Sequence, residues 1–175
     1  MKVSFIKSGV HRYGVDVERD CATNLRMHPA PGYDDWLPHD MVHFLVEREA
    51  GLKDGIFGQL AAGGDANTFV PTEQQRTRRW ARRTERRNRT TGGDIGRSEE
   101  LAFAALVAWK ARVARHRRTL EFDEVAMSEV QALLPTLNGA AIAWHALSIG
   151  ESLTFDWPWP ERMSRVTPGQ WAGRP

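Results

Sequence analysis

The sequence predicts an α-rich α+β fold, about five or six helices packed with a small antiparallel sheet. Three observations lead there. Two early segments, 2–7 and 13–19, alternate apolar with polar residues, as a half-buried hairpin must. A third segment, 152–157, alternates in the same way and offers a further strand. Most of the chain between them carries apolar residues at helical spacing. A length of 175 residues suits a single domain, 1–175, able to bury about 70% of its unfolded surface. A single cysteine, Cys21, excludes an internal disulfide framework and a Cys-only zinc site.

The elements follow in order. Ser8-Gly9-Val10-His11-Arg12 joins the first two strands, whose apolar faces are Val3/Phe5 and Tyr13/Val15/Val17. Two prolines and a glycine within 27–36 mark an ordered loop leading to a helix over 38–50, with Pro38 in its first turn and Gly51 as its C-terminal cap. A short helix over 54–62 buries Ile56, Phe57 and Leu60 and ends at Gly63-Gly64. Thr72-Glu73-Gln74-Gln75 has capping-box spacing and opens an arginine-rich helix reaching Asn88. The stretch 90–96, with three glycines, is a linker that lacks the strand and the Lys-Ser/Thr of a phosphate-binding loop. Ser98 caps a helix over 99–118 that buries Leu101, Phe103, Leu106, Trp109 and Val113. Two more helices are expected at 123–134, ended by Pro135, and at 137–149.

Charge is unevenly spread. Segment 72–97 holds nine arginines against three acidic residues, a local charge of +6 in a chain whose total is +2. Arginine outnumbers lysine twenty to four over the whole chain, and a GC-rich coding bias explains that excess better than selection for phosphate binding does. The first residues lack the long apolar core of a signal peptide, and no segment carries 18 uninterrupted apolar residues, so a cytoplasmic protein without a membrane partner is expected.

The 38–50 helix carries the sharpest chemical signal. At about 100° per residue, with His39 at zero, His43 falls near 40°, Glu47 near 80° and Asp40 near 100°, while Met41, Val42, Phe44, Leu45 and Val46 fill the other directions. Such a helix lies inside the protein, and its polar arc must face a cavity, a metal or hydrogen-bonding partners. Histidines at i and i+4 can both reach one divalent ion, with zinc or iron suited to a set of His, Asp and Glu. Glu47 then serves as a ligand or as the base that activates a metal-bound water, and Asp40 as an orienting residue or ligand. His145, on the apolar helix near the C-terminus, is the preferred distant ligand, ahead of His28 and Glu49. The plainer alternative is a pair of half-buried histidines bonded to Asp40, Glu47 or backbone.

Here the chain resembles a helical ubiquinone-biosynthesis family. That family carries an HDxxH motif separated by eleven residues from a Glu, and the motif is regarded as a metal site. His39-Asp40-Met41-Val42-His43 matches its first half, over a likeness of about twenty-five residues. At the Glu position stands Gly55, and only with four extra residues does Gln59 of Gly58-Gln59-Leu60 fill it. The resemblance implies a metal site acting on a hydrophobic or aromatic substrate, with His39, Asp40 and His43 carried over.

The leading expectation is therefore a small metal-dependent enzyme, a hydrolase or lyase using metal-activated water, with iron-dependent oxidation as a competitor. Its substrate is a small molecule, anionic or aromatic. The rival is a nucleic-acid-binding module over 76–89: as a helix, Arg79, Arg82, Arg83, Arg86 and Arg87 form one cationic face and Trp80 is available to stack on a base. An arginine clamp over an anionic substrate, or a solvated and mobile excursion, are further readings of that segment. The Pro/Trp-rich tail, 157–175, with Trp157, Trp159 and Trp171, packs back over the domain or docks another subunit. Cys21 lacks a CxxC partner, and no GxSxG elbow occurs.

Overall fold

Alternation at the N-terminus folds as expected. Strands β1 (Lys2–Gly9) and β2 (Arg12–Glu18) pair antiparallel, Phe5 opposite Val15, with a register shift between Lys7 and Gly9 at the loop. The molecule is a computed structural model that describes residues 1–32, 34–73, 76–113 and 124–162. Val3, Phe5, Tyr13, Val15 and Val17 are buried, so the anticipated face is the core face.

The sheet is larger than the sequence suggested. Two short strands, β3 (Leu25–Met27) and β4 (Val70–Pro71), extend it beyond β2, and β5 (Ser152–Asp156) closes the other edge against β1, giving the order β4-β3-β2-β1-β5. On its outer face the hydroxyls of Ser4 and Thr154 meet at 2.8 Å across the β1–β5 pair. Pro71 in β4 lacks an amide donor, which suits an edge.

Helix α1 (His39–Ala50) packs on the sheet through Phe44, which meets Phe5 and Phe155, and on helices that follow it, and residues 41–47 are buried without a break. Gly51 ends it in the left-handed conformation, φ 72°, and returns its amide to the Glu47 carbonyl. Helix α2 (Ile56–Ala61) follows directly. The buried Arg19 binds the Leu60 and Gly64 carbonyls at 3.0 and 2.9 Å, tying the end of α2 to the turn after β2. Helix α3 (Arg78–Thr90) begins later than the capping-box reading placed it; Thr77 caps it by accepting the Trp80 amide, and Gln74 and Gln75 lie outside the described residues.

Helix α4 is described over Ile95–Val113, and α5 over Glu124–Ala146. Three expectations are corrected here. α4 starts a turn before Ser98, so Ser98 is not its cap but points inward. Phe103 and Val113 are exposed: the buried stripe runs through Ser98, Leu101, Ala102, Ala105 and Trp109, Phe103 falls about 200° from Leu101, and Val113 is in phase with the stripe but lies a turn beyond Trp109, its last buried residue. The two helices expected at 123–134 and 137–149 are one, with Pro135 inside it. Proline in a helix interior costs about 3 kcal/mol, and here burial of Leu133, Leu134, Leu137 and Trp144 on both sides of it holds the helix together. Five helices and five strands among the described residues make the α+β fold. The far end of the helix expected over 99–118 and Trp171 lie outside those residues.

After β5 the chain packs back over the domain. Trp157 is buried against Phe44, Arg162 binds the Lys53 and Gly58 carbonyls and pairs with Asp54 at 2.5 Å, and no described helix is long and apolar enough to cross a membrane.

Candidate functional site

The polar arc of α1 divides between two tasks. Gly55, the N-cap of α2, has no side chain with which to accept the first amides of that helix. Glu47 does so from the neighbouring helix: Oε1 accepts from the Ile56 amide at 2.7 Å and Oε2 from the Phe57 amide at 2.9 Å. Oε1 also accepts from the Ser98 hydroxyl at 2.9 Å. Burial raises the Glu47 carboxyl to about 7, against the Ser98 hydroxyl and the α2 amides, which favour its ionised form.

Gly55 is required by this arrangement. A Cβ there would stand 2.3 Å from Glu47 Cδ, although its φ of −76° is open to any residue. Gly55→Ala is therefore expected to lower stability by about 2 kcal/mol or more in urea denaturation, through collision rather than backbone strain. A fully stable variant would show that the carboxylate does not occupy this position.

Ser98 links Glu47 to His43. His43 Nδ1 lies 3.0 Å from the Ser98 hydroxyl oxygen. With Glu47 ionised, the single hydroxyl proton goes to the carboxylate, so the network assigns the histidine proton to Nδ1 and leaves a lone pair on Nε2. Nε2 makes no hydrogen bond, and its nearest ionic neighbour is Glu99 Oε2 at 3.6 Å. Burial, and then the neighbouring His39, lower His43 to about 4, so its ring is neutral near pH 7. The rings of His39 and His43 meet edge to face, centroids 4.6 Å apart.

Asp40 has a different partner. The Tyr13 hydroxyl lies 2.6 Å from the Pro31 carbonyl and also bonds the Asp40 carboxyl. The hydroxyl has one proton for two acceptors, so Tyr13 divides its donation between the Asp40 carboxylate and the Pro31 carbonyl. Burial likewise raises Asp40 above the usual carboxyl range, despite the opposing Tyr13 bond and His39.

His39, Asp40, His43 and Glu99 share the wall of a cavity of about 550 Å³, a size suited to a small molecule. Gln59 and Asn67 add amides, and Met27, Ile56 and Ile95 add apolar wall. Ala66 and Asn67 shape one side with φ of 47° and 60°, a left-handed pair held by the Asp65 carboxylate, which accepts from the Asn67 amide at 3.0 Å and from Asn88 Nδ2 at 2.7 Å.

No family model, curated protein or solved structure matches this chain.

The expected ligand set is only partly assembled. His39, Asp40 and His43 share the cavity, but the Glu47 carboxylate is occupied by α2 and Ser98, and exposed His145 lines a separate recess with Lys7, Trp144 and Ile149. His28 pairs with Asp16 at 3.0 Å and Glu49 with Arg48 at 2.7 Å. Among the described residues no three His, Cys, Asp or Glu side chains converge to hold a metal ion.

Arg79, Arg82, Arg83, Arg86 and Arg87 are all exposed, as the cationic-face reading required. Trp80 is 4% exposed and packs inward, so it offers no stacking surface. Ser98 and Tyr13 are the functional residues missed. Ser98 carried a usable signal, a small polar residue in phase with the buried stripe of α4; Tyr13 read only as a strand residue.

Proposed function

We propose that the cavity is the active centre of a small hydrolase- or lyase-type enzyme, in which His43 Nε2 takes a proton from a bound polar substrate or from a water held beside it. One observation supports this above the others. A buried, neutral histidine is fixed in the Nδ1–H tautomer by Ser98 and Glu47, and its other nitrogen has no hydrogen-bond partner at a cavity wall. The network also has somewhere to send the proton. As Nε2 takes one up, Nδ1 can pass its own to the Ser98 oxygen while the Ser98 hydroxyl proton moves to Glu47, so no imidazolium need persist in the buried site. Asp40, which burial raises above the usual carboxyl range, is the second proton-carrying group at the cavity wall. In this reading Glu47 keeps a catalytic role through Ser98 rather than as a ligand.

The lone pair at His43 Nε2 beside the His39 ring also supports a second reading, an ion such as zinc or iron bound by two imidazoles. The described residues supply no third protein ligand, so no step is routed through such an ion.

Imidazole nitrogen shifts in ¹⁵N-labelled protein test the assignment. At pH 8, where Glu47 is ionised, His43 is expected to carry its proton on Nδ1, and an Nε2–H tautomer or a charged ring there would overturn it. In turnover assays over panels of ester, phosphoester and lyase substrates, His43→Gln is expected to lose at least about 100-fold in kcat. Stoichiometric metal in purified protein, absent from a His39→Ala/His43→Ala variant, would move the conclusion to the second reading.

A further inference from the structure

We propose that the outer face of α3 docks in the major groove of duplex DNA, with its arginines on the phosphates of both groove walls. The helix is 13 residues, about 20 Å long, and carries seven arginines against one acidic residue, Glu85. Its inner side is anchored: Trp80 and Thr84 are buried, and Asn88 Nδ2 donates to Asp65 at 2.7 Å and to Asn67 at 3.0 Å. Taking Trp80 as zero, Arg78, Arg82 and Arg89 lie near 160–200°, Arg79 and Arg86 near 240–260°, and Arg83 and Arg87 near 300–340°. The cationic arc thus spans about half the helix, with a crest and two flanks.

Local pairing does not neutralise this arc. Arg89 pairs with Glu85 at 2.6 Å, whereas Arg78, Arg82, Arg83, Arg86 and Arg87 have no ion-pair partner among the described residues. Like charges at i, i+3 and i+4 repel along both flanks, and a polyanion removes that repulsion. Elsewhere the chain sums to −4, so its net positive charge resides in this helix.

Geometry selects the kind of polyanion. A single strand presents one phosphate line and is gripped by aromatic stacking, which buried Trp80 cannot provide. A B-form major groove is about 12 Å wide, admits one helix and has phosphates on both sides, matching two flanks of arginine. The deep, narrow major groove of duplex RNA does not admit a helix.

Fluorescence anisotropy with the full chain and a labelled 24-base-pair random duplex DNA, between 50 and 200 mM salt, tests this. Expected is a log K against log [salt] slope of about −4 to −6, and binding at least 10-fold tighter than to single-stranded DNA or duplex RNA of equal length. Neutralising Arg82, Arg83, Arg86 and Arg87 to Gln should flatten the slope by about 3 and weaken binding at least 30-fold at 50 mM salt, with unchanged circular dichroism. The corresponding four-Lys variant should keep the slope, which guards against a misfolded Gln variant. Unmeasurable binding at 50 mM salt, an equal preference for a single strand or RNA, or an undiminished slope in a folded Gln variant would each overturn the proposal. α3 meets the cavity only through its inner side, where Asn88 lines the wall, and its arginines lie on the other side of the helix, so His43→Gln should bind DNA as the wild type does.

Discussion

Replacing Glu47 by alanine is expected to cost about 3–5 kcal/mol of stability, roughly a 10 °C fall in Tm for a domain of this size. The truncation deprives the Ile56 and Phe57 amides and the Ser98 hydroxyl of their acceptor and opens a void beneath α2. Glu47→Gln fills that void but still sets an amide nitrogen against donors, so about 2 kcal/mol is expected. The pH dependence identifies the network. Glu47 is raised from 4.5 to about 7, so across that range the unfolded chain has released a proton that the folded one keeps, and its contribution to stability falls as pH rises. His43 is lowered from 6.5 to about 4, so across that range the unfolded chain holds a proton the folded one lacks, and stability rises with pH. Between about 4.5 and 6.5 the two slopes oppose each other. Glu47→Gln removes one of them. Its urea-derived stability should then climb with pH from about 4 to 6.5 more steeply than that of the wild type, by up to about 1.4 kcal/mol per pH unit. Parallel curves for the two proteins would dismiss the coupling.

Phe44→Ala is expected to lower stability by about 4 kcal/mol in urea denaturation, as large-to-small changes at fully buried aromatics do. Its ring is where separate parts of the chain meet: Phe57 of α2 at 5.0 Å, Phe155 of β5 at 5.5 Å, Trp157 at 5.8 Å and Phe5 of β1 at 6.0 Å, centroid to centroid. No one neighbour can relax into the space without leaving the others. Phe103→Ala, on the exposed side of α4, should change stability by less than about 0.5 kcal/mol and serves as the control. Equal losses in the two variants would refute the packing described.

Much of the fold was legible because period is a local property. Alternation revealed β1, β2 and β5, and the apolar surround of His39, Asp40, His43 and Glu47 correctly placed α1 indoors. β3 and β4 escaped notice because two or three residues carry no period; they are defined by pairing with a neighbour distant in sequence. Pro135 misled for the opposite reason, since a strong local stop signal was overridden by burial on either side of it. At the site, residue types were readable and their partners were not. Glu47 is in phase with the histidines, but its carboxylate turns to a helix that lacks a capping side chain, a need that only the bare Gly55 hinted at. Trp80 among arginines suggested stacking, yet it is the anchor by which α3 is held to the domain.

The pairing of β1 with β5 has a consequence for how the molecule is made. Lys2 lies opposite Asp156, so this edge of the sheet cannot form until nearly the whole intervening sequence exists and has collapsed enough to close the loop. On the ribosome the hairpin emerges early with one flank of amides and carbonyls bare. Contact order thus makes sheet completion a late event, and it leaves the nascent chain most open to mispairing while residues 152–156 are still to come.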